Sequence, residues 1–103
     1  MKSFGYTVCL EFAGHGVGRQ LHMLPQVMHS REENYTQDVM EEGMAFTIEP
    51  IIMMHPYNEL QIWEDNWTIV CPNNPSAQWE HTILITKDSH EILTKRENEE
   101  ILI

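Results

Sequence analysis

The stretch Phe12-Ala13-Gly14-His15-Gly16-Val17-Gly18-Arg19-Gln20-Leu21-His22 limits what this chain can fold into more than any other. Glycines at alternate positions bracket His15, and His22 follows seven residues later. Glycine accepts positive φ and, having no Cβ, admits another backbone or a ligand at close range, so the spacing predicts a turn that holds one imidazole in a tight place. A histidine beside glycines is often only a hydrogen-bonded structural residue. Its meaning here depends on what the rest of the chain brings to it.

Around this turn the sequence alternates as strands do. Tyr6, Val8 and Leu10 alternate with Thr7, Cys9 and Glu11, predicting a strand from Phe4 to Phe12 that enters the glycine turn. Pro25 to Met28 reads as a short extended piece and Arg31 to Glu42 as a polar loop ended by Gly43. Met44 to Met54 is the strongest strand, with Met44, Phe46 and Ile48 on one face and Ala45, Thr47, Glu49 and Ile51 on the other. Pro50 breaks into it, which marks an edge, a bulge or interrupted pairing. A turn at 55–59, a returning strand from Leu60 to Cys71, a loop at 72–76 and a strand from Ala77 to Thr86 follow, and a short apolar piece from Glu91 to Thr94 precedes a charged tail. No stretch has a convincing 3.6-residue period, so a mainly antiparallel, curved sheet is expected.

At 103 residues the chain has the length of one small domain. It begins abruptly on a core-like strand, which suggests part of a larger fold, and the apolar faces around Val8, Phe46, Ile48 and Ile83 are expected to stay exposed without it. Sixteen Asp and Glu against six Lys and Arg give a formal net charge of -10, which disfavours nucleic acid and anionic membrane as partners. No run has the length of a membrane span, no secretory signal opens the chain, and Cys9 and Cys71 read as free thiols, so an intracellular protein is expected.

His15, Glu49 and Glu80 are candidate metal ligands. Both glutamates lie in apolar strands, and an ionised carboxylate facing a packed interior is costly unless paired or bound to a cation. Either face of an antiparallel strand can also look outward, which would leave both solvated. One imidazole and two carboxylates suit manganese, iron, cobalt or zinc and leave positions open for water. With a neighbouring glutamate to carry a proton, such a centre supports metal-assisted hydrolysis. Three ligands fall short of a two-metal site.

The blocks Gly14-His15-Gly16-Val17-Gly18-Arg19-Gln20-Leu21-His22, Phe46-Thr47-Ile48-Glu49-Pro50 and Ser76-Ala77-Gln78-Trp79-Glu80-His81-Thr82, joined by Met40-Glu41-Glu42-Gly43-Met44 and Asp65-Asn66-Trp67-Thr68, resemble the C-terminal half of a type 1 methionine aminopeptidase of metallopeptidase family M24. The resemblance covers nearly the whole chain. It implies an α+β pita-bread fold, of which residues 1–103 are the mainly antiparallel β C-terminal part of the catalytic domain, and removal of the initiator methionine from nascent polypeptides. It implies that His15 and Glu49 bind one of two divalent ions, that Glu80 bridges both, and that Glu49 also handles the proton of the attacking water. It further implies that His22 contacts the substrate amide and that Leu21 and Trp67 line the methionine pocket, Leu21 standing where the family usually has an aromatic residue.

The family's two aspartate ligands and a further histidine belong to an N-terminal half without counterpart here, since Asp38, Asp65 and Asp88 do not stand in the required motif. The resemblance therefore implies that this chain alone holds one ion or none, is inactive, and needs that half as its partner. A cytoplasmic location is expected, with the mitochondrion as the alternative. Two other functions stay open: a catalytically inactive pita-bread module that binds peptide or protein, and a small β-barrel metal oxygenase. Among the other side chains, His29, His55 and His90 are expected to face solvent and His81 to pack behind the site. Met23, Met28, Met40, Met44, Met53 and Met54, with Trp63 and Trp79, are expected in the core.

Overall fold

A computed structural model describes residues 4–31 and 38–101. The expected loop from Arg31 to Glu42 therefore lies largely outside the described residues. Those described form antiparallel β-structure with no α-helix. The strands are β1 (Thr7–Val8), β2 (Gly14–Gly16), β3 (Met23–Val27), β4 (Ala45–Ile48), β5 (Ile51–Met53), β6 (Gln61–Ile62), β7 (Ile69–Val70), β8 (Ser76–Gln78), β9 (His81–Ile85) and β10 (His90–Ile92). They make a five-stranded sheet in the order β10-β9-β4-β2-β3, a three-stranded sheet in the order β1-β5-β8, and a small hairpin of β6 with β7.

The two larger sheets share their long strands. The runs expected from Met44 to Met54 and from Ala77 to Thr86 are each cut in two, and all four pieces keep one register: Ile48 faces His81 before the cut and Ile51 faces Gln78 after it. Glu49 therefore stands opposite Glu80, and Pro50 opposite Trp79, in a stretch with no ladder bonds. The cause is local. Pro50 has no N–H to donate, and the paired glutamates place like charges across the gap. Each glutamate thus sits at a break between strands rather than inside an apolar strand.

His15 is likewise not on a turn. Gly14, His15 and Gly16 form β2 itself, wedged between β3 and β4, and the glycines there serve close approach rather than positive φ. A Cβ on Gly14 would come within 2.3 Å of the Thr47 carbonyl oxygen, and one on Gly16 within 2.3 Å of that of Leu24. Between His15 and Gly16 the register against β3 shifts, so that Leu24 and Pro25 bulge out. The expected single strand from Leu60 to Cys71 is instead the hairpin of β6 and β7, because Glu64, Asp65 and Asn66 turn the chain. Asn66 has φ of 55°, and Asp65 Oδ1 accepts from the N–H groups of Trp67 and Thr68 at 3.0 and 2.8 Å.

The core is small. Among the described residues the buried apolar side chains are Cys9, Phe46, Met53 and Ile83, joined by Thr47. Phe46 and Ile83 are thus inside, not exposed, whereas Ile48 is 43% exposed. Of the methionines expected in the core only Met53 is buried. Trp63 and Trp79 are 57% and 48% exposed, since both sit where strands have ended. Cys9 and Cys71 are free thiols. At the edge of the three-stranded sheet Tyr57 donates its hydroxyl hydrogen to Glu11, and this bond is the main reason the Glu11 carboxyl titrates below its ordinary range.

The packing at Gly14 predicts that Gly14→Ala destabilises the chain by about 1–3 kcal/mol, since backbone rather than a flexible side-chain tip fills the space. Urea unfolding monitored by tryptophan fluorescence checks it; an unchanged midpoint would contradict the close approach.

Candidate metal centre

His15, Glu49 and Glu80 converge at the break in the long ladder. One ligand atom from each lies within 4.8 Å of those of the other two, with His15 and Glu49 half-buried and Glu80 exposed. His15 Nδ1 is 3.0 Å from the carbonyl oxygen of Gly16. A carbonyl only accepts, so Nδ1 carries a hydrogen, and whenever the ring is neutral its lone pair is at Nε2. That nitrogen faces Glu49 Oε1 at 3.4 Å. Two acceptors so placed repel unless a cation lies between them, and donors about 2.0–2.2 Å from a shared ion at a tetrahedral angle are about this far apart.

Thr47 sets this geometry. Its Oγ1 accepts from the His15 N–H at 3.0 Å and donates to Glu49 Oε1 at 2.8 Å, so one buried hydroxyl joins the backbone of β2 to the carboxylate at the end of β4. With Oε1 oriented, Glu49 is fixed relative to the imidazole. Glu80 adds the second negative charge. At an effective dielectric of about 20, two carboxylates at the 4.8 Å limit repel by roughly 3 kcal/mol, and by less where solvent reaches Glu80. One imidazolium would leave a net negative charge, whereas a divalent ion balances both glutamates. The donor set fits such an ion.

His22 is the fourth residue gathered here. Its ring lies 4.3 Å from that of His15, tilted by 55°, but its nitrogens are not part of the ligand group. Leu21 and Trp67 are 68% and 86% exposed, Trp67 at the tip of the β6–β7 hairpin. His81 sits behind the break with both ring nitrogens engaged: Nδ1 is 2.9 Å from Thr94 Oγ1, and Nε2 is 2.9 Å from Glu99 Oε1 and 3.1 Å from Trp79 Nε1. The Arg96 guanidinium lies 4.1 Å above the Trp79 ring.

His29 corrects its expected exposure. Half-buried, it accepts the Glu49 N–H at Nε2, 3.0 Å away, and burial pushes its pKa down. His55 is exposed in a turn and His90 exposed on β10. The signal for His29 was positional. Val27 pairs with Gly14, and Gly14 packs on Thr47, so a side chain two residues beyond Val27 reaches the residue two beyond Thr47.

Over residues 1–87 the sequence matches the family described as Metallopeptidase family M24. The chain belongs to that family. It is 46% identical over 97 residues to the mitochondrial methionine aminopeptidase 1D of Dictyostelium discoideum and 48% identical over 96 residues to that of Homo sapiens. These matches cover 91% and 92% of this chain but 24% and 28% of the relatives. The solved methionine aminopeptidase of Rickettsia prowazekii superposes with a TM-score of 0.80 at 38% identity, covering 91% of this chain and 38% of that one. The chain thus spans between about a quarter and two-fifths of the length of these proteins.

For an M24 chain, the helix-free antiparallel sheets are those of a pita-bread C-terminal half. Membership also sets aside the unrelated β-barrel oxygenase and implies use of divalent metal. No helix among the described residues is long and apolar enough to cross a membrane.

Because Thr47 Oγ1 bridges the His15 N–H and Glu49 Oε1, Thr47→Val, which keeps the shape and removes the hydroxyl, is expected to weaken manganese or cobalt binding by about 10-fold or more in a domain completed with the N-terminal half, read by calorimetric titration. Unchanged affinity would show that the hydroxyl does not orient the carboxylate.

Proposed function

We propose that residues 1–103 are the C-terminal part of a methionine aminopeptidase catalytic domain, which removes the initiator methionine from nascent polypeptides. The observation that carries this is the meeting of His15, Glu49 and Glu80 at a break in a ladder otherwise held in one register. His15 Nε2 and the carboxylates of Glu49 and Glu80 hold divalent metal, whether cobalt, manganese, iron or zinc. The complete domain takes two ions, and this chain alone takes one or none. Bound there, the metal supplies a Lewis acid for the scissile carbonyl and lowers the pKa of a water near neutral pH.

The chain's own residues do the rest. Glu49, its Oε1 fixed by Thr47, takes and returns the proton of the attacking water. His22, beside His15 yet outside the ligand group, donates to the amide oxygen as charge develops on it. Glu80 would help hold both ions. Leu21 and Trp67, exposed here, form the wall of the methionine pocket when the other half of the domain lies against them. That N-terminal half is the required partner, supplying the remaining ligands, so this chain alone does not hydrolyse peptide. The compartment is the cytosol or, as in the two relatives named above, the mitochondrion.

Two substitutions in a domain completed with that half test the assignment. Glu80→Ala is expected to lose metal more fully than Glu49→Ala, because a bridging carboxylate serves both ions; metal content equal to wild type after dialysis, by elemental analysis, would contradict it. His22→Ala is expected to keep its metal while turnover of a Met-Ala-Ser peptide falls roughly 10²-fold. If metal were lost and turnover per bound metal unchanged, His22 would be a ligand. A completed domain that binds metal but leaves the peptide intact would favour the inactive binding module.

A further inference from the structure

Glu49 occupies the position where the long ladder loses its bonds, yet its backbone N–H is not left open. On β4 the ladder alternates. The Met44 carbonyl accepts from Ile85 on the β9 side and the Ala45 carbonyl from Val17 on the β2 side, so the backbone groups of residues 47 and 49 turn toward β2. At both levels a side chain replaces the expected carbonyl. The His15 N–H goes to Thr47 Oγ1 at 3.0 Å, and the Glu49 N–H goes to His29 Nε2 at 3.0 Å.

His29 reaches this point because the chain runs on past the end of β3 at Val27 toward Glu49. To accept there, Nε2 must be unprotonated and the ring hydrogen must sit on Nδ1, a buried atom with no partner among the described residues. Without this acceptor the Glu49 peptide would lack a bond on the β2 side, and its neighbour Pro50 has no hydrogen to offer on the β9 side. Nothing in the ladder would then hold the backbone from which the carboxylate reaches His15.

We propose that His29 is a positioning residue for Glu49: by accepting the Glu49 N–H at the ladder break, it holds the carboxylate against His15. The proposal rests on the reading of His15, Glu49 and Glu80 as a metal centre. His29 is not one of the three ligands. It acts through the peptide, as Thr47 acts through the carboxylate, so the two restrain one residue from its two ends.

The test uses wild type, His29→Gln and His29→Leu, each in a domain completed with the N-terminal half, titrated calorimetrically with manganese or cobalt, each fold checked by circular dichroism. Glutamine keeps an acceptor within reach; leucine fills the space without one. His29→Leu is expected to bind metal about 10-fold or more weakly, and His29→Gln within about threefold of wild type. Equal affinity for leucine and wild type, or equal losses for glutamine and leucine, would overturn the proposal.

A measurement on wild type alone covers the case in which His29→Leu does not fold. A scalar coupling across the hydrogen bond from the Glu49 N–H to the His29 ring, with Nε2 showing the nitrogen shift of an unprotonated acceptor, is expected by NMR. A protonated Nε2 or an absent coupling overturns the proposal. If the coupling is present and the wild-type domain completed with the N-terminal half takes up no metal, the metal reading fails while the bond to Glu49 stands.

Discussion

Two glutamates face each other across an antiparallel ladder that has no hydrogen bonds at their level, and much of the structure exists to hold that arrangement. Pro50 removes the donor that would close the ladder. Register nevertheless continues on both sides, through β4 with β9 and β5 with β8, so the carboxylates cannot slide apart along the strands. A pair of like charges held this way is unfavourable alone. Its cost becomes useful once a cation sits between the carboxylates, because the repulsion absent the ion adds to the affinity for it.

The neighbouring elements bring the imidazole to the same level. β2 fits between β3 and β4 only because Gly14 and Gly16 have no Cβ, and this tight fit sets His15 against Thr47 and Glu49. Side chains then take over where backbone pairing stops: Thr47 between His15 and Glu49, His29 on the Glu49 peptide, and His81 with Thr94 and Glu99 behind Glu80. The core behind them is slight, with Phe46, Met53 and Ile83 as its large apolar members among the described residues. Polar restraints near the site therefore do much of the positioning that apolar packing does in a larger domain.

Much of this was legible in the sequence, and the parts that were not share a cause. Alternation along Met44 to Met54 and Ala77 to Thr86 marks the strands and the common face of Thr47 and Glu49, and the three motif blocks identify the family. Period-two patterning cannot show that two long strands are cut at the same level, because that depends on which residues are paired; Pro50 hinted at a break, but its match to Trp79 and Glu80 is a matter of register. The same limit explains His15. Alternate glycines suit a positive-φ turn or a strand squeezed between two others, and only the neighbours decide between them. His29 looked like a loop residue because its partner, the Glu49 N–H, lies twenty residues away in sequence. Trp63 and Trp79 followed hydrophobicity into an expected core, whereas the strand ends that carry them leave them half in solvent.

The central claim is that the ladder break is a metal site made by His15, Glu49 and Glu80. Its most direct test is an anomalous difference map from crystals, grown with cobalt, of this chain completed with the N-terminal half. An anomalous peak within bonding distance of His15 Nε2 and of carboxylate oxygens from both Glu49 and Glu80 is the predicted result. A map with no peak at the break, or with its only peak elsewhere, such as beside His81 and Glu99, would contradict it.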